Sequence, residues 1–485
     1  MNLIILLPIL LSVIFAIYIS LLKNKSDKQV ANIAIIFTII IAIAIAIIMT
    51  IYFGQSCTLI KFNDLLNVSF KIDGLSVLFV GMVSVLWPIA TYYAKTYMIH
   101  DGGFIKFFTF YTLTYGAVIG MGFSDNIFTL YIFYEAITFF TLPLVLHNNK
   151  RRDRFAAFSY VIHMFFAAAL IFTGMMIFIL NVNNTSFVLG GIYHELLNNQ
   201  MLIAYVLMFV GFAIKAGIFP FHKWIINAGV APTTVTALLH AVAVVKSGAF
   251  AAMRLTYYYY DPTTLLNTYA QYFVLIMVCL SILFGSFMAV KSTHIKRRLA
   301  YSTVSQLSYI LLGIVTMNTF GLKAAILHML FHACIKIVLF YSAGNILYTN
   351  HKEFTNDIYG YGKYMKVTFI CFTISAIALI GIPPFGSFLS KFALSNASFI
   401  VNETTGIIAT ITLIISAFLT AIYMFDIIFK AYFPNKDIVI DDNIKQAPKP
   451  MRLTLIIISC IMIIISLLVY PLNGLIDILV NGGII

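Results

Sequence analysis

About fourteen stretches of mostly apolar residues follow one another along this chain, each close to the length a lipid bilayer demands. They lie near 2–22, 30–53, 74–94, 105–123, 125–146, 156–180, 201–221, 229–253, 270–290, 299–317, 320–347, 367–392, 406–429 and 453–480. A hydrocarbon core of about 30 Å is crossed by about 20 helical residues. Inside it every backbone N–H and C=O must be bonded within a helix or a closed barrel. The runs show no period-two alternation, so the expected fold is an all-α polytopic membrane protein of about 14 transmembrane helices. Charge content agrees: 10% of residues are charged, against about 25% in a soluble domain.

The net charge of +13 would suggest nucleic acid in a soluble protein; here the loops account for it, and no nucleic-acid partner is expected. Loops after odd-numbered spans hold most basic residues: Lys23, Lys25, Lys28, Lys95, Lys106, Lys150, Arg151, Arg152, Arg154, Lys223, Lys291, Lys296, Arg297, Arg298, Lys352, Lys363, Lys366, Lys436, Lys445 and Lys449. Loops after even-numbered spans hold Lys61, Lys71, Arg254 and Lys323. Positive loops stay in the cytoplasm. Odd loops are therefore expected there, with both termini on the outer side of an energy-transducing, prokaryotic cell membrane. The five cysteines (Cys57, Cys279, Cys334, Cys371, Cys460) are scattered, and neither G-x-G-x-x-G after a strand nor G-x-x-x-x-G-K-[ST] occurs. The sequence offers no metal, cofactor or nucleotide motif. An ion gradient or a partner must supply the energy.

Four lysines fall inside spans: Lys215, Lys246, Lys336 and Lys391. A charge at the bilayer centre costs from about 3 to more than 10 kcal/mol, and such residues mark ion paths by default. Glu135 is the clear intramembrane acid; Asp426 and Asp477 lie nearer helix ends. A Glu135–Lys215 pair would be a bistable element, charged when together and able to release a proton when apart. As a static pair it would stabilise poorly compared with apolar packing. His328, His332 and Lys336 recur every four residues and line one helix face. His240 and Lys246, six apart, fall on different faces of an α-helix. His163 is left out as a lone core histidine. The tyrosines at 257–260 read as an interfacial belt.

The seventh span holds "GIFPF" at 217–221, the twelfth "GIPPF" at 381–385, each beside a lysine. Five spans separate them, so they cross in opposite directions. Matched glycine/proline breaks of this kind point to inverted-topology repeats around a midplane site. The expected organisation is spans one to three (1–104), a first repeat of spans four to eight (105–254), a second of spans nine to thirteen (270–430), and a cytoplasmic loop with span fourteen (431–485).

"YEAITFFTLPLVLH" (134–147), "KAGIFPFHKWIINAGVAPTTVTALLHAVAVVKSGAF" (215–250), "KRRLAYSTVSQLSYILLG" (296–313), "LHMLFHACIKIVLFYSAG" (327–344) and "GIPPFGSFLSKF" (381–392) together resemble the antiporter-like membrane subunits. These are the proton-pumping subunits of respiratory complex I (NADH-quinone oxidoreductase), subunits A and D of Mrp-type sodium/proton antiporters, and the matching subunits of membrane-bound hydrogenases. The resemblance covers about residues 70–430. It implies 14 helices with two inverted five-helix repeats and a polar axis along the membrane midplane. On it Glu135 matches the fifth-helix glutamate, and Lys215 the broken-helix lysine. His240 and Lys246 match the eighth-helix relay, and His328, His332 and Lys336 the central relay. Lys391 matches the terminal twelfth-helix residue, which is glutamate in some members. The implied function is proton translocation within a redox-driven complex; the alternative is an Mrp-type sodium/proton antiporter subunit. Iron–sulfur, flavin or nickel–iron centres are expected only in partner subunits, alongside related antiporter-like subunits. The motifs look closest to those of hydrogenase-linked members or of the D-type members of Mrp antiporters.

Overall fold

The computed structural model describes residues 3–63, 65–182, 184–192, 197–229, 231–434 and 444–480; Lys436 lies outside them. Among these, twelve helices are long and apolar enough to cross a membrane. The first spans are α1 (Leu7–Ser20), α2 (Asp27–Ile51), α3 (Gly74–Asp101), α4 (Phe104–Gly122), α5 (Ile127–Val145), α6 (Arg151–Ile179) and α7 (Asn199–Ala216). After α7 come the short α8 (Lys223–Ala228) and an eighth span built from α9 (Thr233–Ala237) and α10 (Val244–Arg254). After a short α11 (Pro262–Leu265) the chain continues through α12 (Tyr269–Lys291), α13 (Ile295–Val315) and α14 (Thr319–Asn350). The short α15 (Tyr361–Tyr364) leads to α16 (Lys366–Ile380) and α17 (Gly386–Val401), then α18 (Glu403–Tyr432), α19 (Lys449–Leu467) and α20 (Val469–Val480). The twelfth expected span is thus two helices, α16 and α17. The fourteenth is α19 and α20, divided at Leu468.

The loops sort onto two faces by their hydrogen bonds. On the even face Lys71 N–H donates to Phe123 O (2.7 Å), Asp125 N–H to Ser69 O (3.0 Å), and Phe187 N–H to Asp125 O (2.6 Å). Val188 N–H donates to Tyr258 O (3.1 Å), Tyr257 OH to Asn318 O (2.9 Å), and Asn318 Nδ2 to Ala397 O (3.0 Å). These residues all belong to loops or helix ends after even-numbered spans. On the odd face His147 Nε2 meets Gly102 O (3.0 Å). Ile295 N–H donates to Glu353 O (2.9 Å), Gly360 N–H to Lys430 O (3.1 Å), and Asn350 Nδ2 to Lys445 O (3.2 Å). Alternating crossing follows from bonding alone, and α7 and α16 start from opposite faces. Helices that begin at the even face carry side-chain caps from Asp73, Asn126, Asn198, Thr268, Asn318 and Asn402. Each cap satisfies a free N–H of the first turn.

One loop adds a small sheet to the helical bundle. The loop after α2 forms a hairpin, β1 (Ser56–Lys61) paired antiparallel with β2 (Asn67–Lys71), Ser56 opposite Lys71 and Lys61 opposite Asn67, with an irregularity between Thr58 and Ile60. It packs on the α4–α5 loop, where Asn126 Nδ2 reaches Asn67 O (3.0 Å) and Ser69 Oγ (2.7 Å).

The core lies around the eighth and eleventh spans. The most apolar window of Thr233–Tyr259 is 100% buried and that of α14 94%, against 28% for α2. A helix apolar all round belongs inside a bundle. α13 is polar yet buried because other helices meet its hydroxyls. Ser305 contacts Ser416 of α18 (3.1 Å) and Ser286 of α12 (2.8 Å). Interhelical hydroxyl contacts of this kind hold membrane helices together. The tyrosines at 257–260 belong to this interior and form no surface belt. All are at most 4% exposed, and Tyr260 OH donates to Met201 O (2.9 Å). Arg254 is no loop residue either: it is fully buried and bidentate to Asp73.

Candidate functional site

Both breaks close in the same way. α7 ends at Gly217 (φ +87°) and α16 at Gly381 (φ +86°), a left-handed conformation that glycine adopts without strain. Gly217 N–H bonds Ile214 O (2.9 Å) and Ile218 N–H bonds Ala213 O (3.0 Å). Gly381 N–H bonds Ala378 O (3.0 Å) and Ile382 N–H bonds Ile377 O (3.3 Å). These are Schellman closures. Each is followed by a cis X–Pro bond, Phe219–Pro220 and Pro383–Pro384.

The lysines use the breaks differently. At the first, Trp224 Nε1 also donates to the Ile214 carbonyl (2.8 Å). Lys215, fully buried, turns instead to α5. Its Nζ donates to Tyr134 O (2.5 Å) and Thr138 Oγ1 (2.9 Å). At the second, Lys391 lies after the break and folds back, donating to Leu379 O (2.7 Å) and Ile380 O (2.9 Å). It caps the carbonyls that the interrupted helix leaves open.

Glu135 and Lys215 form no ion pair. Glu135 is half-buried, and its Oε1 is buried without a hydrogen-bond partner. Tyr134 OH bonds Gly211 O (3.1 Å), tying α5 to α7.

The eighth span departs from a plain helix. Leu238–Val242, with His240 at its centre, is a π-helical turn, a feature that tends to mark functional sites. Across the wider turn Lys246 Nζ donates to the backbone carbonyl of His240 (3.3 Å). Both ring nitrogens of His240 are buried without a partner. At Gly248 a Cβ would meet Phe212 O at 2.6 Å and Ala216 N at 2.7 Å. Glycine therefore lets α10 lie directly on the end of α7, beside Lys215.

In α14, His328, His332 and Lys336 are all buried. The two imidazoles lie 6.2 Å apart between centroids. His328 Nδ1 meets Ser390 Oγ (2.9 Å), whereas its Nε2 and both nitrogens of His332 are unpartnered. Lys336 Nζ donates to Ser302 Oγ and to Leu299 O (3.0 Å). Ring contacts carry the row to Lys391: Tyr309 lies 5.4 Å from His328, and Lys391 Nζ sits 5.2 Å from the Tyr309 centroid. His163 stands apart, with Nδ1 on Ser159 O (2.7 Å).

Sequence reasoning missed Thr138, Ser302 and Ser390, the hydroxyls that hold these basic groups, because serine and threonine in apolar helices carry no distinctive pattern. It missed Gln306, fully buried with both amide ends unpartnered. It also placed Lys296 in a loop. Lys296 is in fact buried, donates to Ala231 O (3.2 Å), and lines an odd-face cavity of about 200 Å3 with His294 and Glu353. Burial holds His294 below the usual imidazole range, against the pull of Glu353 at 3.2 Å. Among the described residues no group of three His, Cys, Asp or Glu side chains is placed to hold a metal ion.

A row of buried basic side chains thus runs beside two matched breaks. Residues 124–418 match the family described as "NADH:quinone oxidoreductase/Mrp antiporter, TM". The chain belongs to this family. Residues 60–108 also match "NADH-Ubiquinone oxidoreductase (complex I), chain 5 N-terminus". The chain is 30% identical to the chloroplastic NAD(P)H-quinone oxidoreductase subunit 5 of Chaetosphaeridium globosum, covering 75% of this chain and 55% of that protein. It is 30% identical to NADH-quinone oxidoreductase subunit L of Campylobacter jejuni, covering 76% and 60%. It is 32% identical to the putative antiporter subunit mnhA2 of Staphylococcus aureus, covering 70% and 44%. The matched region thus spans roughly half the length of these relatives. Two solved structures share the fold of this antiporter-family chain. One is the archaeal membrane-bound sulfane sulfur reductase, with a TM-score of 0.84, 20% identity, and 98% of this chain and 96% of that one covered. The other is the Mrp complex from Dietzia sp., with a TM-score of 0.84, 18% identity, and 99% and 97% covered.

Proposed function

We propose that this chain is the proton-translocating, antiporter-like membrane subunit of a multisubunit redox-driven ion pump, complex I-like or membrane-bound hydrogenase-like. The observation that carries this reading is the row Lys215, His240, Lys246, His332, His328, Lys336 and Lys391: buried basic groups with no carboxylate ion pair among the described residues. Charges at this depth are too costly to keep as packing, and a relay needs groups that exchange protons with unpaired neighbours. Protons enter from the cytoplasm near Glu135 and Lys215, pass His240 and Lys246 to Lys336 with His332 and His328, and leave by Lys391. Thr138, Ser302 and Ser390 hold the donors in place. The odd face is cytoplasmic and the termini lie outside. Residues 105–254 and 270–430 act as the two inverted repeats, between spans one to three (1–104) and the C-terminal part (431–485). Iron–sulfur, flavin or nickel–iron centres reside in partner subunits.

The test uses the assembled complex in membrane vesicles. Lys215→Ala and Glu135→Ala are expected to abolish proton transport while the complex still assembles. Full transport in both variants refutes the assignment. The likeness to mnhA2 favours one alternative, a sodium/proton antiporter subunit of an Mrp-type complex. Transport that needs sodium and no electron donor, with only small antiporter subunits co-purifying, would establish that alternative.

A further inference from the structure

Where does the far end of the row reach water? A cavity of about 310 Å3 opens on the even face between α14, α17 and α20. Its lining includes Lys323, Leu327, Leu389, Asn396 and Asp477. The deep side is apolar: Leu327 and Leu389 are each followed in the chain by a residue of the relay, His328 and Ser390, which meet each other at 2.9 Å. Lys391 comes next on the same helix, and His328 Nε2 is buried and unpartnered. At the water side Lys323 Nζ bonds Asp477 Oδ1 at 2.6 Å, across from α14 to α20. The lysine side chain is 23% exposed and the aspartate 52%. A pair this wet is held weakly and opens readily. The polar rim over an apolar floor has the build of a constriction that stops ions by shedding water.

We infer that this cavity is the even-face port of the ion path, with Lys323 and Asp477 as positioning residues that latch α20 over its mouth, and Leu327 and Leu389 as its dry inner seal. This rests on the translocation reading above. The latch residue sits late in α20, whose Leu479 carbonyl abuts Gly74, where a Cβ would come within 1.9 Å. The C-terminal helix is thus seated against α3 close to the latch. Opening the port asks only that the Lys323–Asp477 contact part and the two leucines admit water.

The test is thiol labelling of Ala393→Cys, which lines the cavity, in the assembled complex in inside-out and right-side-out vesicles. A charged, membrane-impermeant thiol reagent is used, with the parent protein as control for the native cysteines. Labelling is expected from the even face only and should block ion transport. Lys323→Gln in the same background should speed labelling about two- to fivefold, the range a partly exposed ion pair can hold shut. Labelling that leaves transport intact, labelling from the odd face, or no labelling in either background overturns the port. No ion transport in the unlabelled parent refutes the translocation reading itself, and the port falls with it.

Discussion

Removing the carboxylate of Asp73 is expected to cost about 4 kcal/mol of stability. Arg254 is fully buried. Its Nη1 donates to Asp73 Oδ2 (2.5 Å), and its Nη2 to Asp73 Oδ1 (2.7 Å) and Ser76 Oγ (2.9 Å). Deleting one partner of a buried pair strands the other charge and costs about 3–5 kcal/mol. Asp73 also caps α3 by accepting from Ser76 N–H (2.9 Å), worth about 1 kcal/mol. Its side chain keeps 18% exposure, so water recovers part of the loss and the lower half of the summed range applies. Denaturant unfolding of the purified protein in detergent measures the difference for Asp73→Ala. Asp73→Asn retains a capping oxygen and separates the charge from the cap. Asp73→Leu combined with Arg254→Met removes both charges and should recover most of the loss. The pH dependence has a definite sign. Burial raises the Asp73 carboxyl, but the Arg254 guanidinium and the Ser76 bonds outweigh it and hold the group below the usual carboxylate range. A depressed carboxyl stabilises fully above its unfolded value of about 3.9 and loses that contribution as pH falls through the lower folded value. The gap between parent and variant should therefore close only below about pH 4. A loss under 1 kcal/mol at pH 7, where a surface pair would fall, refutes the clamp.

Asp125 behaves in the opposite sense: burial pushes its carboxyl up to about 6 despite Lys71 and Arg254 nearby. The folded state keeps this proton where the unfolded chain releases it, so stability falls as pH rises from about 4 to 6. Asp125→Asn should raise the melting temperature relative to the parent at pH 8 and not at pH 4; an equal effect at both values removes the argument. Gly381→Ala should cost about 1–2 kcal/mol for the left-handed backbone. It should also slow transport, because the new methyl meets Lys391 Cδ at 3.0 Å and Nζ at 3.3 Å; normal transport in a folded variant would detach Lys391 from the path. Lys336→Ala should stop transfer between the two halves while assembly persists, and unchanged proton uptake would remove its relay role. Ser302→Ala, which takes away the hydroxyl at Lys336, should lower the transport rate with little change in stability, and an unaltered rate would make that contact structural only.

Much of this protein is written in local composition. Segment length and apolarity determine the crossings, because lipid admits only internally bonded backbone. Loop charge predicts the odd–even sorting, and the hydrogen bonds between loops reproduce it. The two glycine–proline breaks are legible because both residues act on the chain locally. What only tertiary structure decided depends on contacts between distant residues or on a change of helical period. The π-turn at His240 brings its backbone carbonyl within reach of Lys246. Arg254 counts as a loop cation until Asp73, 181 residues away, is seen to bury it. Lys215 and Lys391 sit at like breaks, yet one reaches across to α5 and the other caps its own interrupted helix. Glu135 and Lys215 lie on neighbouring helices, yet the hydrogen bonds of the ammonium go to Tyr134 O and Thr138 Oγ1. A charge inside a membrane can be read from a single chain; its partner cannot, since the cost that demands one is met by whichever oxygen the packing brings nearest.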